Sequence, residues 1–462
     1  MTNSQFKARK TSKRNQRVKT AKLPQSLGKV NLNAAGIDIG ATEHYVAVPQ
    51  GRDKDIVRSF GTFTADLQTL ADWLDECNIQ KVAMESTGVY WIPVFEILEH
   101  RGFEVKLVEP GKLKSVPGRK TDVLDCQWIQ QLHTYGLLQG SFVPVESICI
   151  LRSYMRQRGM LVDCAGKHVL HMQKALMQMN IQLHHVISDI TGATGLRIID
   201  AIIGGERDPQ KLSKLRDPRC KKDEHTIALA LEGHWRDDHL FVLKQAVELY
   251  RFYHSLLGAL DQKLENYIKT FEDQSDGRVL QSSPKPKAGS NAPSFDMCNH
   301  LYKMSGVDLT TIDGISGHSA LQLISEIGID ISLWPTEKHF ASWLCLCPGN
   351  KKTGGRLITG KSRVSANRAA AVLRMAAQSL SRADCALGAF YRRMKSKLGA
   401  PKAITAAAHK IAKIVYNMLK YGRQYVDVGV EYYEKEYRQR VLKNLARRAS
   451  QYNLCLVPAE NK

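Results

Sequence analysis

The sequence predicts a mixed α/β domain, followed by a long helical region and a mostly helical C-terminal domain. Three observations support this fold class. Short apolar runs with strand character lie between residues 35 and 108, long stretches of helical periodicity follow Pro144, and a segment rich in Pro, Ser and Gly occupies residues 282–294. With 462 residues and 43% hydrophobic content, the chain is long enough for two or three domains with cores of their own.

The first domain is predicted to open with three strands joined by tight turns, an antiparallel meander. Gly40 marks the first turn, and Gly51 marks the second. The predicted elements, in chain order, are the strands GIDIG, HYVAVP and DIVRSFGTF, the helix TADLQTLADWLDEC, the strand KVAMES, the helix VYWIPVFEILEHRG, the strand FEVKLVEP and the helix TDVLDCQWIQQLHTYG. This is the strand and helix order of an RNase H-like domain.

Four acidic residues occur at positions that suit a metal site in such a domain. Asp38 lies in the middle of an apolar strand, where an unpaired charge is costly. Glu85 ends the strand KVAMES, while Asp122 and Asp125 are three residues apart on one predicted helix face. Carboxylates are the ligands that Mg²⁺ prefers, and paired ions can clamp a phosphodiester. Any one of these acids alone is more often a solvated charge, and Asp122 could equally be a helix cap.

The formal net charge of +21 indicates a polyanionic partner. Residues 1–33 are predicted to be a disordered basic arm, because residues 1–30 carry nine Lys or Arg and no acid. A membrane partner is not expected, since the sequence has no apolar run of about eighteen residues and nothing that resembles a signal peptide. The ten scattered cysteines include no CxxC pair, which suits reduced thiols in a cytoplasmic protein.

Composition and periodicity place the remaining domain boundaries. Residues 34–146 form the α/β domain, residues 147–280 a helical or coiled-coil region, and residues 281–297 a flexible linker. Residues 298–430 form the C-terminal domain, and residues 431–462 a basic tail.

Two glycine-containing segments of the C-terminal domain are candidate nucleic-acid contacts. Leu309 to Ile327 has the pattern of a helix-hairpin-helix, whose turn amides can bind backbone phosphate, although two ordinary packed helices would look similar. The segment from Pro348 to Lys361 is glycine-rich, basic and hydroxyl-bearing, as a loop that approaches a phosphodiester needs to be. The candidate residues are Gly314, Ser316, Gly317, Lys351, Lys352, Gly354, Gly355, Arg356 and Lys361.

The chain resembles the transposases of the Insertion Sequence 110/1111 family. The matching stretches, in order over nearly the whole chain, are GIDIGATEHYVAV, MESTGVYW, VPGRKTDVLDCQWIQQLHTYGLL, IDGISGHSALQLISEIG, CPGNKKTGGR and SANRAAAVLRMAAQSL. The resemblance implies a RuvC-like domain with a DEDD tetrad at Asp38, Glu85, Asp122 and Asp125, Mg²⁺ as cofactor, and DNA as substrate. It further implies a composite active site between subunits of a dimer or tetramer, a covalent protein–DNA intermediate, and a noncoding bridge RNA that specifies donor and target.

The chain departs from the family at the expected nucleophile. Many members have a serine before paired glycines, whereas this chain has KKTGGR, so the matching hydroxyl belongs to Thr353. Threonine can act as a covalent nucleophile when its hydroxyl is activated. Thr353 could instead hydrogen-bond within the loop, in which case Ser362 or Ser365 would attack.

Two other classes of protein remain open at this stage. GIDIGAT also resembles the first phosphate loop of actin-like sugar kinases, although no second DxGxT loop follows. A protein that binds nucleic acid without catalysis would use only the arm, the helical region and the hairpin. ATP hydrolysis with a small substrate would favour the first class, and binding that survives loss of all four acids would favour the second.

Overall fold

The computed structural model describes residues 28–110, 122–280 and 291–457. The chain divides into two compact units, Met1–Val143 and Pro144–Lys462. The arm up to residue 27, most of the predicted linker and the last five residues lie outside the described residues, so the predictions made for them stay predictions.

The N-terminal unit contains a mixed five-stranded sheet. Its strands are β1 (Ala34–Ile39), β2 (Glu43–Ala47), β3 (Val57–Gly61), β4 (Lys81–Glu85) and β5 (Glu104–Val108). The spatial order is β3-β2-β1-β4-β5, with β1, β2 and β3 antiparallel and with β4 parallel to both β1 and β5. The sequence predicted this antiparallel meander followed by alternating helices and strands, and the mixed sheet confirms that prediction.

Helices cover the two faces of the sheet unequally. Helix α1 (Thr64–Glu76) and helix α2 (Trp91–His100) share one apolar core with Ile37 and Ile39 of β1. Helix α3 (Asp122–Thr134) packs on the other face, where Ile129 contacts Ala83 and Val108. Because side chains alternate along a strand, Gly36 and Asp38 face the same side as helix α3.

Two long helices dominate the first part of the second unit. Helix α4 (Glu146–Gln178) and helix α9 (Asp237–Ile268) are antiparallel, since Tyr267 donates to the carbonyl oxygen of Ser147 while Tyr253 stacks on His168. Between these contacts, Arg158 and Asp261 form a buried ion pair with a nitrogen–oxygen distance of 2.7 Å. The antiparallel pair agrees with the long helical periodicity, and its description as a coiled coil remains a proposal.

The segment between the long helices is more structured than its composition indicates. Residues 204–226, rich in Gly, Pro and charge, are predicted to be a connection with one short helix, but one helix and the start of a second occur there, and two more helices precede them. All four build a core with the ends of the long helices. They are α5 (Leu183–Val186), α6 (Ala193–Ile203), α7 (Pro209–Ser213) and α8 (Glu224–Ala230). Ile198, Ile202 and Leu212 are fully buried there, so closely spaced apolar residues among the charges were sufficient to form a core.

The rest of the second unit is helical apart from one small hairpin. Its helices are α10 (Met297–Ser305), α11 (Gly317–Ile327), α12 (Glu337–Trp343), α13 (Arg368–Ser379), α14 (Ala386–Leu398), α15 (Ala400–Tyr421) and α16 (Val430–Ser450), and its strands are β6 (Lys351–Thr353) and β7 (Arg356–Thr359). Tyr416, which is completely buried, donates to the carbonyl oxygen of Trp334 and ties α15 to the chain before α12. Within the described residues, no helix has the length and apolar character needed to cross a membrane.

Candidate active site

Two of the four predicted acids lie at the ends of adjacent parallel strands. Strands β1 and β4 pair with Ile37 opposite Met84, so the next residues along the two strands are Asp38 and Glu85. Parallel strands end at the same edge of a sheet, which brings these carboxylates to one place. Both side chains are half-buried.

Helix α3 brings the other two acids to the same edge, and a glycine allows its close approach. A β-carbon built on Gly36 would lie 2.2 Å from the amide nitrogen of Gln130 and 2.5 Å from the carbonyl oxygen of Cys126. These distances are too short for any side chain at this position. The side-chain amide of Gln130 also donates to the carbonyl oxygen of Ala34. Helix α3 is thereby held directly against the strand that carries Asp38.

The ionisation of Asp38 shows that all four acids interact. The pKa of Asp38 is raised from 3.8 to about 6, most of all by burial and then by the charges of Glu85, Asp125 and Asp122, in that order. Asp122 is exposed and Asp125 is half-buried. The four residues that the sequence singled out are therefore electrostatically coupled across three separate elements.

Tyr45 and Glu43, which lie next to the tetrad, were not identified from the sequence. Tyr45 of β2 lies directly opposite Asp38 in the antiparallel register and donates from its hydroxyl to Glu43 at 2.9 Å. This hydrogen bond is the largest cause that raises the pKa of Tyr45, and the charge of Asp122 contributes. A hairpin register that pairs Asp38 with Tyr45 could have revealed this neighbour, but the turn length between the strands had to be known.

The donor set suits a divalent cation without forming a closed cage. Throughout residues 28–110, 122–280 and 291–457, no three His, Cys, Asp or Glu side chains form a group that could hold a metal ion. Mg²⁺ commonly uses one or two carboxylates and completes its shell with water and substrate phosphate, so a preformed cage is not required. The raised pKa of Asp38 shows excess negative charge at this edge of the sheet, and a cation would relieve it.

The ionised Asp38 is expected to destabilise the metal-free protein. Because its pKa is near 3.8 when unfolded and about 6 when folded, the free energy of unfolding falls as pH rises through that interval, and the loss persists above it. Allowing for partial exposure, the loss is about 1–2 kcal/mol. Asp38→Asn should therefore melt a few degrees higher than the wild type at pH 7.5 in a chelator.

The same melting experiment contains its own controls. The difference between Asp38→Asn and the wild type should disappear below about pH 3, where the carboxyl is largely protonated in both states. Adding Mg²⁺ should raise the melting temperature of the wild type more than that of the variant. A variant that melts below the wild type at pH 7.5 would show that the charge of Asp38 is already compensated.

Thr353 lies at the tip of an exposed β-hairpin rather than in an irregular loop. Strands β6 and β7 pair with Thr353 opposite Arg356, leaving a two-residue turn. The turn residues, Gly354 and Gly355, have φ values of +54° and +77°, which glycine adopts without strain. No atom lies within 4 Å of a β-carbon built on either glycine, so the tip projects into open space.

Ser362 and Ser365, the alternatives to Thr353 as nucleophile, lie at the base of the hairpin and beyond it. Ser362 forms an isolated bridge with Pro348, and the amide of Gly349 donates to the carbonyl oxygen of Lys361. Ser365 accepts a hydrogen bond from the amide of Asn367, which caps helix α13. Thr353 is thus the outermost of the three hydroxyl residues along this hairpin.

The predicted helix-hairpin-helix contains one full helix and one short turn. A 3-10 turn at Leu309–Thr311 precedes Gly314, and Ser316 caps helix α11 by accepting from the amide of Ser319. Gly314 and Ser316 are exposed, whereas Gly317 is buried, with its β-carbon position 3.0 Å from the Sγ of Cys298. Only the first two are presented to a ligand on the outer surface.

The mixed sheet and its four coupled carboxylates define a DEDD nuclease-like domain. Residues 35–181 match a family model for DEDD transposases of the Insertion Sequence 110 group, described as "Transposase". Residues 308–392 match a second model, described as "Transposase IS116/IS110/IS902 family". The chain belongs to the Insertion Sequence 110 family of transposases, and it is a DNA transposase rather than a sugar kinase or a non-catalytic binding protein.

No curated protein matches the chain. The two family matches together cover about half of the chain. They include the four acids, the glycine turn and the hairpin, while the end of α14 and all of α15 and α16 lie outside them.

Proposed function

We propose that this transposase cuts and rejoins DNA strands of an insertion sequence through a covalent bond between Thr353 and DNA. The observation that carries the proposal is the coupling of Asp38 to Glu85, Asp122 and Asp125 in a domain matched by DEDD transposases. The catalytic domain would span residues 34–146, and the transposase domain that carries the nucleophile would span residues 298–430.

The tetrad would hold Mg²⁺ and the hairpin would supply the attacking oxygen. Mg²⁺ held by carboxylates of the tetrad, with water and substrate phosphate completing its shell, would supply positive charge at the scissile phosphate and at the departing oxygen. The Thr353 hydroxyl loses its proton, its oxygen bonds to phosphorus, and the deoxyribose oxygen leaves and takes up a proton. Gly354 and Gly355 allow the DNA backbone to come close, and Arg356 lies opposite the nucleophile on the paired strand.

The choice of DNA sequence would come from a noncoding guide RNA, with the protein acting as a dimer or tetramer. The net charge of +21 suits binding of both nucleic acids through their phosphates. The family resemblance implies the bridge RNA and the composite active site.

A strand-exchange assay tests this function. The protein is purified with the nucleic acid that accompanies it and is incubated with DNA carrying the sequences beside its gene. We expect joined products only with Mg²⁺, and their loss after ribonuclease treatment. Products that survive ribonuclease would contradict guidance by RNA. Products that form equally well in a metal chelator would contradict the role of the tetrad.

A further inference from the structure

Helices α14, α15 and α16 bring three positively charged side chains together. Arg393 of α14, Lys410 of α15 and Arg440 of α16 form this group, called here the cation cluster. Arg440 lies near enough to both Arg393 and Lys410 to disfavour their charged forms, and Arg393 does the same to Lys410. The cluster lies outside both segments matched by the family models.

Aromatic rings form one wall of the cluster. The guanidinium carbon of Arg393 lies 3.6 Å from the ring centroid of Tyr437 and 4.7 Å from that of Tyr433. The Nζ of Lys410 lies 4.9 Å from the ring centroid of Phe390 and 5.0 Å from that of Tyr433. A guanidinium that stacks on a ring uses its face for that contact and keeps its N–H edge for another partner.

The edge of Arg393 has no partner in the described part of the chain. Its Nε and Nη1 are buried and make no hydrogen bond. Buried N–H groups are almost always satisfied, and a buried charged donor without an acceptor is costly. Because Nε and Nη1 are closed to solvent, an external ligand does not reach them directly, but the missing acceptors leave the positive charge of Arg393 without a hydrogen-bonded anion in the described residues.

Neighbouring acids offset the charge of the cluster only in part, and Glu434 favours the charged form of Arg393. No ion pair joins Arg393, Lys410 or Arg440 to a carboxylate within residues 291–457 or elsewhere in the described ranges. The pKa of Lys410 is lowered by burial and then by Arg393 and Arg440, while Asp427 opposes this only in part. The oxygens of Asp427 accept from the amides of Ala386 and Gly429.

We propose that the cation cluster binds a backbone phosphate of DNA, at a position distinct from the hairpin that carries Thr353. A phosphate oxygen would accept from the exposed Arg440, and the nearby positive charges of Arg393 and Lys410 would add to the attraction. Tyr433 and Tyr437 hold the guanidinium of Arg393 in place. This proposal rests on the proposed function only in taking DNA as the ligand.

Binding measurements in a chelator test the site without any need for catalysis. The affinity of the full chain for a short DNA duplex is measured over a range of salt concentrations for the wild type, Arg393→Gln and Lys410→Gln. Lys397→Gln is the matched control, because Lys397 is exposed in the last turn of the helix that carries Arg393. Each variant removes one positive charge.

We expect the two cluster variants to bind roughly ten- to a hundredfold more weakly, and their slope of log affinity against log salt to fall by about one. The control should change neither quantity appreciably. Equal weakening by all three variants would overturn the proposal, as would weakening confined to an RNA duplex of the same length. Loss of strand exchange with DNA binding unchanged would count against the site while leaving the proposed function intact.

Thermal melting separates binding from a structural role. Inorganic phosphate should stabilise the wild type and Lys397→Gln more than Lys410→Gln. Without phosphate, Lys410→Gln should melt at the wild-type temperature or higher, because it removes a desolvated charge that its neighbours repel. A variant that melts lower and responds to phosphate like the wild type would show that Lys410 only supports packing.

Discussion

Single amide variants of the tetrad, Asp38→Asn, Glu85→Gln, Asp122→Asn and Asp125→Asn, are expected to lose strand cleavage almost completely. Each variant keeps the shape of the side chain and removes a charge that would hold Mg²⁺. Metal ions contribute several kcal/mol to the stabilisation of the transition state, so a loss of about 1,000-fold or more is expected. The loss is measured as the rate at which labelled DNA is cleaved in the presence of Mg²⁺.

A matched control is available in the same domain. Asp72 lies on α1, on the opposite side of the sheet from helix α3, and pairs with Arg101 at 2.7 Å. Asp72→Asn should retain cleavage, because its exposed ion pair contributes little to stability. Near wild-type activity in two of the four tetrad variants would refute the assignment. Activity in Asp122→Asn alone would identify Asp122 as a helix cap.

Thr353→Ala is expected to abolish the covalent adduct with DNA, whereas Thr353→Ser should retain it. In the proposed mechanism the hydroxyl would be the reacting group, so alanine would remove the attacking oxygen, while serine would keep that oxygen and omit only a methyl group. The adduct is trapped on a nicked substrate and located by mass spectrometry. DNA binding by Thr353→Ala should be unchanged, because the side chain is exposed at the hairpin tip.

The two nearby serines provide the comparison. Ser362→Ala and Ser365→Ala should both form the adduct, since Ser362 lies at the hairpin base and Ser365 hydrogen-bonds to the amide of Asn367. An adduct found on either serine, or one that persists in Thr353→Ala, would assign the attack to a different hydroxyl.

The order of strands and helices along the chain could be predicted because its signals are local. The signals that singled out the tetrad are local too, and its role as a metal site stays a prediction. A charge within an apolar strand identified Asp38, and a spacing of three residues placed Asp122 and Asp125 on one helix face. The contact of helix α3 with Gly36 could not be predicted, because it depends on which face of β1 the helix covers. Tyr45 was missed for the same reason, since its position opposite Asp38 depends on strand register.

In the C-terminal domain, turn composition concealed regular structure. Glycine and lysine between Pro348 and Lys361 indicated a loop, yet paired glycines with positive φ form the two-residue turn that joins antiparallel strands. The first helix of the helix-hairpin-helix is only a 3-10 turn at Leu309–Thr311, with Asp308 accepting from the amide of Thr310. This hydrogen bond to the Asp308 side chain competes with the backbone hydrogen bonds that a longer helix would need.

The sequence around Gly36 and the sequence at the hairpin tip differ in how freely they can change during evolution. At Gly36 even one methyl group would overlap the backbone of helix α3, so natural variation around the acids is confined. At the hairpin tip an added side chain would meet no neighbour, so space does not limit variation there. The positive φ values still favour glycine at positions 354 and 355, but Ile358 beside the turn is 66% exposed and can change at little cost to the fold. Over evolutionary time the tip can therefore acquire new DNA contacts while the surroundings of the acids remain nearly fixed.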